Sequence, residues 1–586
     1  MNIDKLIKTR FEKIVILILS AIVLCSYPFI IFFLASYSLC NVALYILRHF
    51  YIKQCNSEYT RRIYEIITDA LIFVCLFILL TKESSSYPLA SIFTFFMIFC
   101  LLYCFVRDVI HIACSFFEFN SPKRIVFLRY AIPLFIIYMI LGGSIPYLNQ
   151  PDVNNSFKKS FSADNFYSDK VSCDRATIIE DNGNALSERI RMIENAKESI
   201  ILTTFDFCAD TSGKQIISAL MAASDRGVQV KVLLDGFNFW THVEGNPYFY
   251  ALMAKSNVKI RVYNIANPLI PWKGMSRMHD KYIIADTNIY MLGGRNTFNY
   301  FLGSGKGHKN LDRDVLIYNT GSGDSSVYLL LEYFNNIWEL DCCKTWKYTD
   351  YVTNLPAVTN ASKELTEIYK NMKKDHREWF VYCDYSLMTV PTNKVSLLSN
   401  PTHLYSKEPL VFWQLCKLME NASDNVTIHT PYIICNDMMY DSFRRICNKV
   451  DVTLMTNSPA NNGNAFGAVD LILHKQDILD TGLNVIEYNG GISYHGKSLT
   501  IDDRLSVVGS FNMDMKSAYQ DTELMLVIDS PQLNTMLTEI FAAYHADSTP
   551  STLINDEFDL LCQEKPKKKN LFFLIRLLDP ILRFLM

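Results

Sequence analysis

His279 and Lys281 stand two residues apart, with Asp286 five further on, and the same spacing returns at His495, Lys497 and Asp502. Both copies read HxKxxxxD, at an offset of 216 (495 − 279). Gly293, Gly294, Arg295 and Asn296 match Gly509, Ser510, Phe511 and Asn512 at the same offset, and Asp314 in LDRDVLIY is paired with Glu523 in QDTELMLV. On a strand, residues two apart point to one face, so each histidine shares its face with its lysine. Asp286 and Asp502 fall an odd number of positions on, where Asp286, Thr287, Asn288 and Asp502, Asp503, Arg504 read as hairpin turns. That place suits a brace better than a substrate contact. The glycine-bearing turn, with Gly294 or Ser510 in it and Asn296 or Asn512 at its end, brings donors close to a phosphate.

Two neutral imidazoles and two ammonium groups in one cleft suit a phosphodiester. The lysines offset the charge that repels a nucleophile and stabilise the oxygens of the transition state. One histidine attacks phosphorus while the other protonates the leaving alcohol and then serves as base toward the incoming one. Asp314 and Glu523 are the expected carboxylates, each accepting from the second ring nitrogen of a histidine and so fixing its tautomer. A lone HxK carries little weight; two copies with a matching turn, asparagine and acid inside a repeat carry much more. No carboxylate cluster stands beside the motifs, so neither a metal nor another cofactor is expected. His242, His308, His403 and His429 read as surface or core histidines.

The elements that must position these residues also occur twice. Residues 200–204 read as a strand, 214–224 as a helix, and 228–234 as a strand with Val228, Val230 and Val232 on one face. IILTT at 200 returns as VTIHT at 426, an offset of 226 (426 − 200). VQVKV at 228 returns as VDVTL at 450, an offset of 222 (450 − 228), and the slow drift fits a duplicated α/β unit with loop deletions. The halves are expected at 173–350 and 406–550, with 351–405 connecting them.

Before the repeat the composition changes. Residues 14–47 contain no charge, and apolar runs follow at 63–80, 88–106 and 125–141. A span needs about 20 apolar residues, so 1–145 reads as membrane-spanning helices and the polar, turn-rich 146–172 as a linker. Four passes from a basic leading segment put the catalytic part on the cytoplasmic side, although the basic connection 48–62 then falls opposite. The last stretch, 551–586, carries Lys565, Lys567, Lys568 and Lys569 before LFFLIRLLDPILRFLM. This basic amphipathic segment suits either an anionic membrane surface or the protein's own core. A net charge of −3 gives no pull toward nucleic acid, which is not an expected partner, and the 16 cysteines form no CxxC pair or disulfide framework.

YHGKSLTIDDRLSVVGSFNMDMKSAYQDTE resembles the second signature of the phospholipase D superfamily, and GGRNTFNYF is similar to its bacterial cardiolipin synthase branch. The resemblance covers about residues 173–550. It implies an α/β fold in which two phospholipase D-type sandwich halves form one pseudo-two-fold catalytic unit, here preceded by an α-helical multi-pass membrane segment. It also implies metal-independent phosphatidyl transfer in two steps through a phosphohistidine. A phosphatidylglycerol-like membrane phospholipid would be the donor and a second lipid alcohol the acceptor. His279, Lys281, Asp286, His495, Lys497 and Asp502 carry over as active-site residues, with Asn296 and Asn512 near the phosphate. The first copy lacks the pattern of Ser510, Asn512 and Asp514, and Lys516 stands where the family usually has arginine. Hydrolysis to phosphatidic acid, a membrane-bound nuclease and an inactive scaffold are the competing readings; the membrane segment favours lipid, and the intact motifs oppose the scaffold.

Overall fold

The computed structural model describes Phe135 and residues 138–586, apart from 268, 269, 322 and 348. The expected spans at 14–47, 63–80 and 88–106 lie outside the described residues, as does most of 125–141. Among the described residues no helix is long and apolar enough to cross a membrane.

The first half supplies strands β1 (Asp174–Ile179), β2 (Ser199–Thr204), β3 (Gln229–Asp235), β4 (Val258–Tyr263), β5 (Tyr282–Ala285), β6 (Ile289–Gly293), β7 (Asn310–Leu311), β8 (Asp314–Asn319), β9 (Cys343–Thr345) and β10 (Val390–Pro391). The second supplies β11 (Lys394–Ser399), β12 (Asn425–His429), β13 (Ile433–Ile434), β14 (Asp451–Asn457), β15 (Asn484–Tyr488), β16 (Ser493–Tyr494), β17 (Ser498–Ile501), β18 (Leu505–Gly509), β19 (Met513–Asp514), β20 (Leu524–Asp529) and β21 (Ser548–Pro550). One sheet runs β10-β1-β8-β6-β5-β2-β3-β4-β9 and the other β11-β20-β18-β17-β12-β14-β15-β21. Leaving out β10, the two orders are the same, strand for strand. β2, β3 and β4 are parallel, as are β12, β14 and β15. The motif strands lie antiparallel between neighbours, β5 between β2 and β6, and β17 between β12 and β18.

Every residue of β5 (YIIA) and β17 (SLTI) is buried, as expected of central strands covered on both faces. Helices cover the outer face of each sheet, and two more, Ser326–Trp338 and Pro531–His545, add Leu330, Phe334, Leu533 and Leu537 to the core on the other face. The opposite faces meet in a shared core, where Ile284, Leu292, Val315 and Ile317 pack with Val508, Leu524, Leu526 and Ile528. Helix α1 (Asn182–Asn195) starts behind Asp181, and α2 (Thr211–Asp225) behind Asp210, whose side chain accepts from Gly213 N. That cap starts α2 three residues earlier than its apolar pattern does. Gly213 is required there, because a Cβ would lie 1.8 Å from Cys208 O.

Three segments differ from the expected division. The linker holds a helix, Asn155–Ser160, and buries Phe166 in the core of the second half. In the connector, α3 (Pro356–Asp375) buries Val358, Ala361, Leu365 and Met372 in the core of the first half. β11 already belongs to the second sheet, so that half begins inside 351–405, not at 406. The last stretch folds back on the second half: α4 (Ala465–Leu479) and α6 (Lys569–Leu582) pack together, with α5 (Met515–Tyr519) between them in sequence.

Candidate active site

β5 and β17 each begin just after a histidine–lysine pair, and backbone pairing between the halves fixes where those pairs lie. β16 runs parallel to β7, with Tyr494 opposite Leu311, and a bridge joins Met278 to Thr522. The two pairings are related by the repeat: Tyr494 is 216 beyond Met278 (494 − 278), and Thr522 is 211 beyond Leu311 (522 − 311). His495 N donates to Leu311 O (2.6 Å), and Thr522 N donates to Arg277 O (2.9 Å). The residue just before each histidine is therefore pinned to the opposite half.

The carboxylates arrive along the same crossing. Glu523 follows Thr522, and its Oε1 lies 2.8 Å from His279 Nδ1. Asp312 follows Leu311, and its Oδ2 lies 2.6 Å from His495 Nδ1. Each imidazole is thus held by the acid of the other half, and both acids are fully buried. Gly294 leaves the room for Asp312, since a Cβ there would fall 2.2 Å from its Oδ1. At the matching place Ser510 donates its hydroxyl to Glu523, and Ser517 Oγ donates to the same carboxylate at 2.7 Å.

Asp314 is not one of these acids. It sits in the buried salt bridges to Arg189 (3.0 Å) and Arg295 (3.2 Å). The sheet register explains the slip. Gly293 is paired with Asp314 and Gly509 with Met525, which makes Asp312 the counterpart of Glu523. The segment between Asn296 and Asp312 is five residues longer than that between Asn512 and Glu523 (16 against 11), and this extra length carries the offset from 216 to 211.

Asp286 and Asp502 do not join the histidines either. They occupy the left-handed region, with φ of 54° and 51°, at the far ends of β5 and β17. Asp286 accepts from the backbone N–H groups of Lys197, Glu198 and Ser199, and Asp502 from those of Ser423, Asp424 and Asn425. Their carboxylates clamp the starts of β2 and β12. Their hydrogen bonds are those of a brace behind each motif hairpin.

The charged groups feel one another strongly. Burial, then the Lys281 ammonium, pushes His279 well below its usual range, and Lys497 and His495 add to the effect. Burial and Lys497 lower His495 to about 4. Burial lowers Lys281 to about 7 and Lys497 to about 8, against the pull of nearby carboxylates. The two acids diverge. Burial raises Glu523 to about 7, whereas at Asp312 the charges of Lys497 and His495 overcome burial and hold it at about 2. Lys281 Nζ donates to His279 O, and Lys497 Nζ lies 3.2 Å from His495 Nε2. Lys497 Nζ also lies 2.7 Å from His495 Nδ1, but the firmly ionised Asp312 is the better claimant for a proton on that nitrogen.

Asn296 and Asn512 are buried, and the side-chain oxygen of each has no hydrogen-bond partner among the described residues. Turned over, either amide presents N–H donors in that place. Residues without a sequence signal complete the surroundings. Phe205 meets His279 edge-on at 4.8 Å, and Phe301 meets His495 at 5.0 Å. Asp280, buried and raised to about 7, accepts from Tyr333 and Thr522. Asp312 was masked by the longer loop, which moves its match to Glu523 off the offset of 216. His279, Asp521 and Glu523 bring possible ligand atoms within 4.8 Å of one another. Two adjacent ammonium groups and the existing histidine–glutamate hydrogen bond make that a poor seat for a divalent cation.

Fold and site define a class: an enzyme of phosphodiester chemistry built from two copies of one α/β unit, with a histidine–lysine pair from each. The family described as "Cardiolipin synthase, PLD-like domain" matches residues 189–338 and 415–545. Cardiolipin synthase C of Escherichia coli is 24% identical over 412 residues, covering 63% of this chain and 84% of that protein. Cardiolipin synthase 1 of Staphylococcus aureus is 26% identical over 385 residues, 64% of this chain and 68% of its own. Phosphatidylserine synthase of Haemophilus influenzae shares the fold, with a TM-score of 0.52 at 15% identity over 74% of this chain and 100% of that one. The chain belongs to the phospholipase D superfamily, in its cardiolipin synthase branch, and is a phosphatidyltransferase of that kind.

Proposed function

We propose that the protein joins two phosphatidylglycerol-like lipids into a cardiolipin-type dimeric phospholipid through a phosphohistidine on His279. The crossed pairing of each imidazole with a buried carboxylate carries this reading. With Nδ1 held, Nε2 is the reacting nitrogen of each ring. His279 Nε2 forms a bond to phosphorus as the bond to the donor's alcohol oxygen breaks, and His495 gives that oxygen its proton. His495 then takes the proton of the acceptor hydroxyl, whose oxygen displaces His279 from phosphorus. The unequal acids favour this division of labour. Asp312, held at about 2, is the acid that favours a charge on its partner ring, against the burial and Lys497 that lower His495 to about 4, while His279 stays neutral and nucleophilic. Lys281 and Lys497 offset charge on the phosphoryl oxygens, with Asn296 and Asn512 as supporting donors. The charge-free run at 14–47 supports a membrane-held enzyme, and the basic last stretch supports a catalytic part that meets anionic lipid on the cytoplasmic side.

Incubation of purified protein with phosphatidylglycerol, followed by mass spectrometry of the lipids and of acid-labile adducts, tests this. Dimeric phospholipid and a phosphoryl group on His279 are expected. Phosphatidic acid as the sole product would establish the hydrolase instead, and an adduct on His495 would reverse the two roles.

A further inference from the structure

Helix α6 has two unlike sides. On its inner side Phe572 and Ile575 are buried with Ala468 and Val469 of α4 and with Phe558, Leu561 and Cys562. On its outer side Leu574 and Leu577 are 51% and 71% exposed, Leu571 and Phe573 are also exposed, and the exposed Lys567, Lys568 and Lys569 stand at the start of the helix. Exposed leucine and phenylalanine next to exposed cations match the surface of an anionic bilayer, which offers apolar depth beneath negative head groups.

Beyond α6 the chain turns into the active-site half. Arg583 pairs with Asp470 (2.5 Å) and donates to the Tyr440 hydroxyl (3.0 Å). Phe584 O accepts from Gln520 Nε2 at 3.0 Å, and Met586 O accepts from Lys516 N at 2.9 Å. Lys516 lies in the first turn of the short helix α5, whose Ser517 hydroxyl donates to Glu523, the carboxylate that holds His279. Only backbone and side-chain hydrogen bonds separate Met586 from the imidazole.

We propose that residues 569–586 form a strap that docks by its outer face on an anionic bilayer and, through the bonds of Phe584 and Met586 to α5, positions Glu523 and His279 when docked. The choice of a bilayer rests on the lipid reading above; the mechanical link rests on the bonds alone. Gln520 and residues 583–586 are positioning residues, acting on His279 through Ser517 and Glu523.

The test uses the full chain and does not need turnover. Vesicles of phosphatidylcholine, with and without phosphatidylserine, are added and followed by co-sedimentation and by amide hydrogen exchange of peptides spanning 515–521. Binding only to the anionic vesicles, with exchange slowed at least about threefold in 515–521, is expected. L574D/L577D, at exposed positions, should keep the wild-type melting temperature and lose both effects. Gln520→Ala should still bind vesicles but lose the slowing, and in a turnover assay should shift the pH profile with KM little changed. Binding that leaves 515–521 unaffected would overturn the coupling. A dimer in analytical ultracentrifugation that L574D/L577D abolishes, without vesicle binding, would make the outer face an interface between copies and overturn the docking. Loss of turnover against phosphatidylglycerol would remove the lipid-transfer reading while leaving both binding results standing.

Discussion

At the scale of single residues, two aspartates two positions apart do different things. Asp312 faces an imidazole and Asp314 faces two guanidinium groups, because Asp314 opens β8 opposite Gly293, whereas Asp312 precedes that strand and follows Leu311, which pairs with Tyr494 of the other half. Asp312→Asn removes the acceptor that stabilises a charged His495, so turnover should fall by about 10²-fold or more with little change in stability. Asp314→Asn leaves Arg189 and Arg295 buried with an uncompensated charge, so it should cost about 3–5 kcal/mol in urea denaturation. Equal losses of turnover at equal stability in the two variants would contradict this separation. The lysines set the response to pH. Lys281 at about 7 and Lys497 at about 8 are charged only below those values. If both ammonium charges serve the transition state, kcat should decline as pH rises from about 7 to about 8. Lys281→Arg cannot lose its proton in that range; it should lower the maximum but move the alkaline limb upward. A limb that stays where it was would assign it to another group.

At the scale of elements, the hairpins that carry the motifs are held from behind. Asp286 and Asp502 each close a turn in the left-handed region and take three backbone amides. Asp286→Ala should leave those amides unsatisfied and strain the backbone, for about 1–3 kcal/mol of lost stability, with kcat per folded molecule largely kept. Asp286→Asn tolerates the same φ and should lie between wild type and alanine. Thermal melts beside active-site titration separate the two effects, and a folded Asp286→Ala protein with no turnover would restore a chemical role. Much of this layer was legible in the sequence, because the two-residue spacing of His279 and Lys281, the turn residues at Asp286, and the repeated strands are local signals. Asp312 was not, since a five-residue excess in the loop after Asn296 hides its match to Glu523 from a count of offsets. β11 was also hidden, in a connector whose longest pattern is the helix at 356–375. Phe205 and Phe301 reach the histidines only through tertiary folding, and no spacing announces them.

At the scale of the whole molecule, a phosphohistidine partitions between alcohol and water according to which reaches phosphorus more often. Water is abundant unless the cleft mouth lies against lipid, so the surfaces that hold the enzyme to a bilayer govern the product ratio. The outer face of α6 supplies such a surface with its charges on exposed side chains, so K567E/K568E/K569E changes it without opening the core around Phe572 and Ile575. Removing 565–586 outright would instead expose that core and release Arg583 from Asp470, mixing a folding defect into the result. The charge-reversed protein should therefore lower the ratio of dimeric lipid to phosphatidic acid on anionic vesicles by about threefold or more. Its ratio in detergent micelles, where no bilayer concentrates the acceptor, should match that of the unaltered protein. Raising the salt concentration should bring the unaltered protein toward the variant, because exposed charges are screened over about 8–10 Å at physiological ionic strength and over less above it. If the variant keeps the full product ratio on vesicles at low salt, the lysines hold no lipid, and the exclusion of water must come from the cleft itself.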